Sequence, residues 1–327
     1  MTVIFFGLLV IQIILSVIVF CIEIKEERAN NKLISGQKAR LERIENELTE
    51  KDLELEKESA VEPSLYISDE FEVSPDFSIS GGLRATYITL LGPGTEFIYS
   101  ENSPRTLENL IDTISYRKGQ LIKNYPGIEF RISARLILSS GTSVKFGIQR
   151  VYQYLHMISN TASISPTDIW KLSDKYIKPE MGDQYSIGLY NNFGKKAIET
   201  SIEAYYKNLK NILDYKGGAV LLMNEHLETD ITNGKGKAYG IELMVKKQAG
   251  NLTGWISYTY SRALIKVDSP YESERVNGGK YFPANYDKPH DLKAVANAKL
   301  SRRFNISSIF VYNTGRPITY PVSFYDF

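Results

Sequence analysis

From about Ser64 to the end of the chain, apolar and polar residues alternate with a period of two. Tyr185, Ile187 and Leu189 alternate with Gln184, Ser186 and Gly188. Ile198, Thr200, Ile202, Ala204 and Tyr206 alternate with Glu199, Ser201, Glu203, Tyr205 and Lys207. Tyr239, Ile241, Leu243 and Val245, then Leu292, Ala294, Ala296, Ala298 and Leu300, and finally Phe304, Ile306, Ser308, Phe310 and Tyr312 continue the pattern. Period two is the spacing of a strand with one apolar and one polar face. It predicts about ten strands: 64–73, 77–91, 126–138, 142–157, 183–193, 197–213, 236–248, 251–266, 289–301 and 304–319.

A β-sandwich alternates too, so the connections decide between architectures. Short links (74–76, 139–141, 194–196, 249–250 and 302–303) alternate with long ones (92–125, 158–182, 214–235 and 267–288). Short turns on one rim and long loops on the other mark a transmembrane barrel. Several strands exceed the 9–11 residues that cross a bilayer, which would carry them above the outer surface. Arg84, Glu199, Glu203, Glu242 and Lys293 fall on the polar faces and would line a wet lumen. Ile187, Ile202, Ile241, Leu243 and Phe310 would point to lipid.

The first 60 residues follow a different rule. Val3 to Ile22 carries no charge and is long enough to span a bilayer as a helix. A cleaved signal peptide is the rival reading, but no basic residue precedes the run and no small-x-small site follows it. Lys25 to Glu58 is highly charged, with Ile34, Leu41, Ile44, Leu48 and Leu55 on heptad seam positions and Gln37 and Lys51 between them. Two polar seam residues make this a weak coiled coil or a solvated helix. Pro63 ends the helical pattern. The expected organisation is an anchor at 1–22, a charged helix at 23–60 and a β-domain at 61–327, with residues 1–58 independent of the sheet.

The chain has 327 residues, and its Tyr (22) outnumber its Phe (14), a bias toward interfaces over a dry core. A net charge of +1 gives no pull toward nucleic acid. The lone cysteine, Cys21, excludes an internal disulfide.

Several segments resemble TonB-dependent receptors of the Bacteroidetes type. They are Leu65-Tyr66-Ile67-Ser68-Asp69-Glu70-Phe71, Ser165-Pro166-Thr167-Asp168-Ile169-Trp170, and Gly254-Trp255-Ile256-Ser257-Tyr258-Thr259-Tyr260-Ser261-Arg262. Tyr281-Phe282-Pro283-Ala284-Asn285-Tyr286-Asp287-Lys288-Pro289-His290-Asp291 and Thr314-Gly315-Arg316-Pro317-Ile318-Thr319 follow in the same order. The resemblance implies a barrel of about 22 strands around a plug, driven by TonB and importing a siderophore, cobalamin or an oligosaccharide across the bacterial outer membrane. Two departures stand out. An anchor and a charged helix occupy the place of the plug and TonB box, and Phe327 follows Thr314–Pro321 closely enough to read as a truncation. The expected product is therefore a partial barrel, not transport-competent alone. Basic residues after the anchor (Lys25, Arg28, Lys32, Lys38, Arg40) also place its C-terminal side in the cytoplasm, against export of a barrel. A fused reading frame would reconcile the two halves.

No Walker loop, zinc-protease motif or serine elbow occurs, so no catalytic residue, cofactor or enzymatic activity is expected. Gly234-Lys235-Gly236 precedes a strand and fails as a nucleotide loop. Glu225, Glu228 and Asp230 around His226 suit a metal, but a solvated loop explains them as well, and no metal ligand is assigned. Trp170 and Tyr176 suit either ligand stacking or a membrane interface. The alternative to a transporter fragment is a single-pass membrane protein with a coiled-coil stalk and a partner-binding β-domain.

Overall fold

The computed structural model describes residues 57–159, 169–193, 197–221 and 224–318. All of them belong to one compact unit, Glu56–Phe327. The anticipated anchor, and the charged helix as far as Glu56, lie outside the described residues; Ser59 and Ala60, at the helix's expected end, are strand instead, and no described helix is long and apolar enough to cross a membrane.

Twelve strand segments form one antiparallel sheet. Ten are long: β2 (Ser64–Ser74), β3 (Phe77–Leu91), β6 (Leu121–Ser139), β7 (Thr142–Gln153), β10 (Glu180–Phe193), β11 (Ile198–Tyr215), β12 (Ile231–Lys247), β13 (Leu252–Lys266), β15 (His290–Lys299) and β16 (Asn305–Asn313). Each pairs with the next in chain order, so the sheet is an up-and-down meander. Short β1 (Ser59–Val61) pairs with the end of β3 and leads into β2 across Glu62–Pro63. Among the described residues strand pairing thus begins at Ser59, just ahead of the compositional boundary. Short β14 (Phe282–Pro283) pairs with β13. Among the described residues β2 and β16 do not pair, so the sheet is open and the barrel partial.

The alternation places the strands well, and the differences fall on the long-loop rim. There β6, β10 and β12 begin three to five residues earlier than predicted, at Leu121, Glu180 and Ile231. Pro126 lies inside β6 although proline cannot donate to a ladder. It is tolerated because β6 pairs with β7 only from Phe130 onward. Over 121–129 β6 has one neighbour, β3, with Pro126 opposite Tyr87. The predicted strand 142–157 splits: pairing with β10 stops at Gln153, and β8 (Leu155–Ile158) leaves the sheet to pair with β9 (Ile169–Leu172). The first long link folds as a hairpin of β4 (Gly94–Tyr99) and β5 (Leu110–Tyr116).

Directly paired residues share a face, and the rows that result separate by polarity. One row runs Ile79, Ala134, Phe146, Ile187, Ala204, Ile241 and Tyr260. On the other face a row runs Arg135, Lys145, Gly188, Glu203, Glu242, Thr259 and Asp291. The five charges expected on the polar face all lie there by register.

The apolar face is the exposed one. Ile187 is 54% exposed, Ile202 51%, Ile241 48%, Leu243 39% and Phe310 55%. Among the described residues no second layer covers these side chains, which a water-soluble sandwich would require. Buried apolar residues gather instead at the long-loop rim, in two clusters. One holds Ile158, Ile177, Leu221, Leu227 and Ile231; the other holds Ile212, Ile265, Val267 and Ala284.

Candidate functional site

The four long connections share one rim and are bonded to one another. From β4, Tyr99 donates to the Glu228 carboxylate at 2.5 Å, on the one-turn helix Leu227–Asp230 of the third connection. Arg105, between β4 and β5, donates to the carbonyls of Glu228 and Ile231, each at 2.8 Å. The second connection joins them through Tyr176, whose hydroxyl donates to the Phe97 carbonyl at 2.6 Å. Its Lys175 pairs with Glu96 at 2.9 Å. The fourth connection is tied in by Glu274, which forms an ion pair at 2.6 Å with Lys216 at the start of the third. Such mutual bonding satisfies backbone groups that loops of this length would otherwise leave to water.

Between these connections lies a cleft of about 290 Å³, lined by Tyr99, Arg105, Lys175, Tyr176, Tyr271 and Glu274 among others. The Arg105 guanidinium sits 5.1 Å from the Tyr176 ring centre, within cation–π range. Burial, reinforced by the hydrogen bond to Glu228, raises the Tyr99 hydroxyl far above its ordinary pKa. Burial alone would raise Glu274, but Lys216 and Ser269 hold it below the usual carboxylate range. Lys175 is thus matched by Glu96 and Glu274 by Lys216, while Arg105 bonds backbone carbonyls and lies over the Tyr176 ring.

A second cluster straps the start of the sheet to the second connection. Glu58 pairs with Lys171 and accepts the Leu172 amide at 2.7 Å. His156 of β8 is buried and bonds Ser173 Oγ at 2.9 Å, and burial lowers its pKa. Asp174 Oδ1 accepts the amides of Tyr176 and Ile177, both at 2.7 Å, closing the turn that delivers Tyr176 to the cleft.

Of the residues singled out in the sequence, His226 and Glu228 come together, with His226 Nδ1 3.6 Å from Glu228 Oε1. Asp230 instead accepts from Asn224 at 2.6 Å. Tyr176 reaches the cleft, whereas Trp170 on β9 is 61% exposed and does not line it. Gly234 and Gly236 lie inside β12, and a Cβ on Gly236 would stand 2.1 Å from Ile212 Cδ1, so packing explains that glycine. Tyr99, Arg105, Lys216 and Glu274 were missed. The alternation of Phe97 and Tyr99 with Glu96 and Ile98 is too short to announce a hairpin.

An open meander with an exposed apolar face, a polar face and sorted loops defines a section of transmembrane β-barrel wall. The family model described as TonB dependent receptor-like, beta-barrel matches residues 51–315, and the chain belongs to that family. Among solved structures it is similar to the ferric yersiniabactin uptake receptor FyuA from Yersinia pestis, at 15% identity and a TM-score of 0.49, covering 78% of this chain and 34% of that one. It is also similar to the FrpB iron transporter from Neisseria meningitidis, at 13% identity and a TM-score of 0.50, covering 81% and 35%. These likenesses concern the fold alone, and the chain spans about a third of each relative's length. Among curated proteins none matches.

Proposed function

We propose that this chain is a section of the barrel wall of an outer-membrane receptor that takes up a bulky nutrient with energy delivered by TonB. The nutrient class is a siderophore, cobalamin or an oligosaccharide. The observation that carries the reading is the inverted sheet: Ile187, Ile202 and Ile241 are exposed on one face while charges occupy the other. In this reading lipid covers the apolar face, the polar face lines the lumen, and the long-loop rim meets the solute outside the cell. Glu203 and Glu242 are direct cross-strand partners on the polar face. Like charges placed so are destabilising, so a cationic group of a lumen-filling plug would suit them. The open edges make the described sheet incompetent for transport by itself.

The test is fractionation of a Gram-negative host expressing the full chain, followed by gel migration of unheated and heated samples. Recovery in the outer membrane with heat-modifiable migration is expected. Recovery as a folded, detergent-independent soluble protein would refute the membrane reading.

A further inference from the structure

We infer that Lys210, Lys235 and Lys237 bind the phosphate groups of an anionic lipid in the outer leaflet, on the outer surface of the sheet beneath the loops. The inference rests on the membrane reading of the apolar face. Lys210 on β11, Lys235 on β12 and Lys266 on β13 are direct cross-strand partners and so share one face. It is the face of Ile241, because Lys237, Tyr239 and Ile241 follow Lys235 at alternate positions. Like charges in one row destabilise a sheet unless an anion meets them. Asp268 meets Lys266 at 2.9 Å. Asp183, diagonal to Lys210 across β10 and β11, is held by Arg150 through hydrogen bonds of 2.6 and 2.9 Å. Among the described residues Lys210 and Lys235 form no ion pair, and both are exposed.

The register sets the depth of this row. Lys235 stands twelve residues above Lys247, the last residue of β12 before a short link. At about 3.4 Å per residue and a tilt of about 40°, that is roughly 30 Å above the short-turn rim. The apolar band of a barrel is about 25 Å tall, so the row lies at headgroup level. The packing reverses at the same height. Lower down, the outer face is apolar and the opposite face charged. At the lysine row the opposite face is apolar instead: Leu209, Gly236 and Ile265 are direct partners there, and Ile265 packs with Ile212 and Val267.

The arrangement suits a phosphate that carries acyl tails. Neighbouring strands lie about 4.8 Å apart, so one phosphate can meet both Lys210 and Lys235. Lys237 lies one step lower, its ammonium 4.5 Å from the centre of the Tyr281 ring. Its apolar stem can follow the outer face while the ammonium reaches upward. Tyr206 and Tyr239 pair on the next step down, where interfacial aromatics belong. Below them, exposed Ile202, Ile241 and Leu243 would receive the tails. A free phosphate has no part to place on that surface.

The test uses the full chain in detergent micelles, titrated with diphosphoryl lipid A or with phosphatidylcholine and read by native mass spectrometry. Lipid A is expected to bind at least tenfold more tightly. A lysine beside an anionic lipid surface contributes a factor of about five, so K210E/K235E should lose more than tenfold for lipid A and nothing for phosphatidylcholine. K247E, on the same strand and face at the opposite rim, should bind as the unaltered chain does. K210Q/K235Q removes the charge without reversing it and should show a smaller loss of the same kind. Equal binding of the two lipids, equal losses in K247E and K210E/K235E, or displacement of lipid A by inorganic phosphate at matched concentration overturns the inference. Heat-modifiable migration is scored on every variant. A chain that migrates so yet shows no preference for lipid A refutes this site alone, whereas a soluble, detergent-independent chain refutes the membrane reading.

Discussion

Placing an arginine at Ile241 tests the orientation of the whole sheet. Ile241 lies six residues above Lys247, the last residue of β12 before a short link. At about 3.4 Å per residue and a tilt of about 40°, it stands roughly 15 Å above the short-turn rim. The apolar band of a barrel is about 25 Å tall, so Ile241 falls near its middle, and its side chain is 48% exposed. An arginine at such a position costs about 2–4 kcal/mol, a factor of about 30 to 1,000 in the folding equilibrium. The neighbouring Glu242 lies on the opposite face, across from Glu203. E242R replaces a like-charge pair with an opposite one, worth at most about 1 kcal/mol of stabilisation. The assay is urea unfolding of the full chain in phospholipid vesicles, followed by the fluorescence of Trp170 and Trp255. A large loss for I241R and none for E242R is expected. Equal effects, or tolerance of I241R within about 0.5 kcal/mol, would refute the assignment of faces.

Three further outcomes are expected. Because burial depresses His156, its neutral form is favoured when folded. The second connection should therefore lose stability as pH falls below the unfolded value of about 6.5, seen as faster amide exchange in β8 and β9 at pH 5 than at pH 7.5, and abolished in H156Q. E58A leaves the Leu172 amide without its acceptor and Lys171 with Asp174 alone, 3.6 Å away; opening of that segment should become easier by about 1–3 kcal/mol, read from exchange at Leu172. In G254A the new Cβ would meet the Val295 carbonyl oxygen at 2.0 Å, at a φ of +151°. Pairing of β13 with β15 should weaken by more than about 1 kcal/mol, visible as protease cleavage near Trp255.

The ten long strands were legible because each shows one polarity to each face, a signal that survives however the loops fold. The limits of β3 coincide with the alternation to the residue, at Phe77 and Leu91. Extensions at the long-loop rim were hidden, since there the strand ends pack under the folded loops, with Met181, Ile231 and Thr232 all buried, and the alternation fades. Four-residue β8 and β9 carry too few positions to establish any period. The candidate site was half legible: His226 and Glu228 are two residues apart, but Tyr99 reaches them from 127 residues away. A hydrogen bond between loops leaves no periodic trace, so only the strand pairing that aligns the loops reveals it.

The polar face also separates its charges along the sheet. Arg135 and Lys145 face each other on β6 and β7, while Glu203 and Glu242 face each other on β11 and β12. Only β10 stands between the two pairs, so about 10 Å separates β7 from β11 at about 4.8 Å per strand. Two opposite unit charges at that spacing attract by roughly 1.7 kcal/mol at an effective dielectric constant of 20. The polar face therefore carries a field directed sideways, across the strands. A dipole placed over β10 would be turned with its negative end toward β7 and its positive end toward β11.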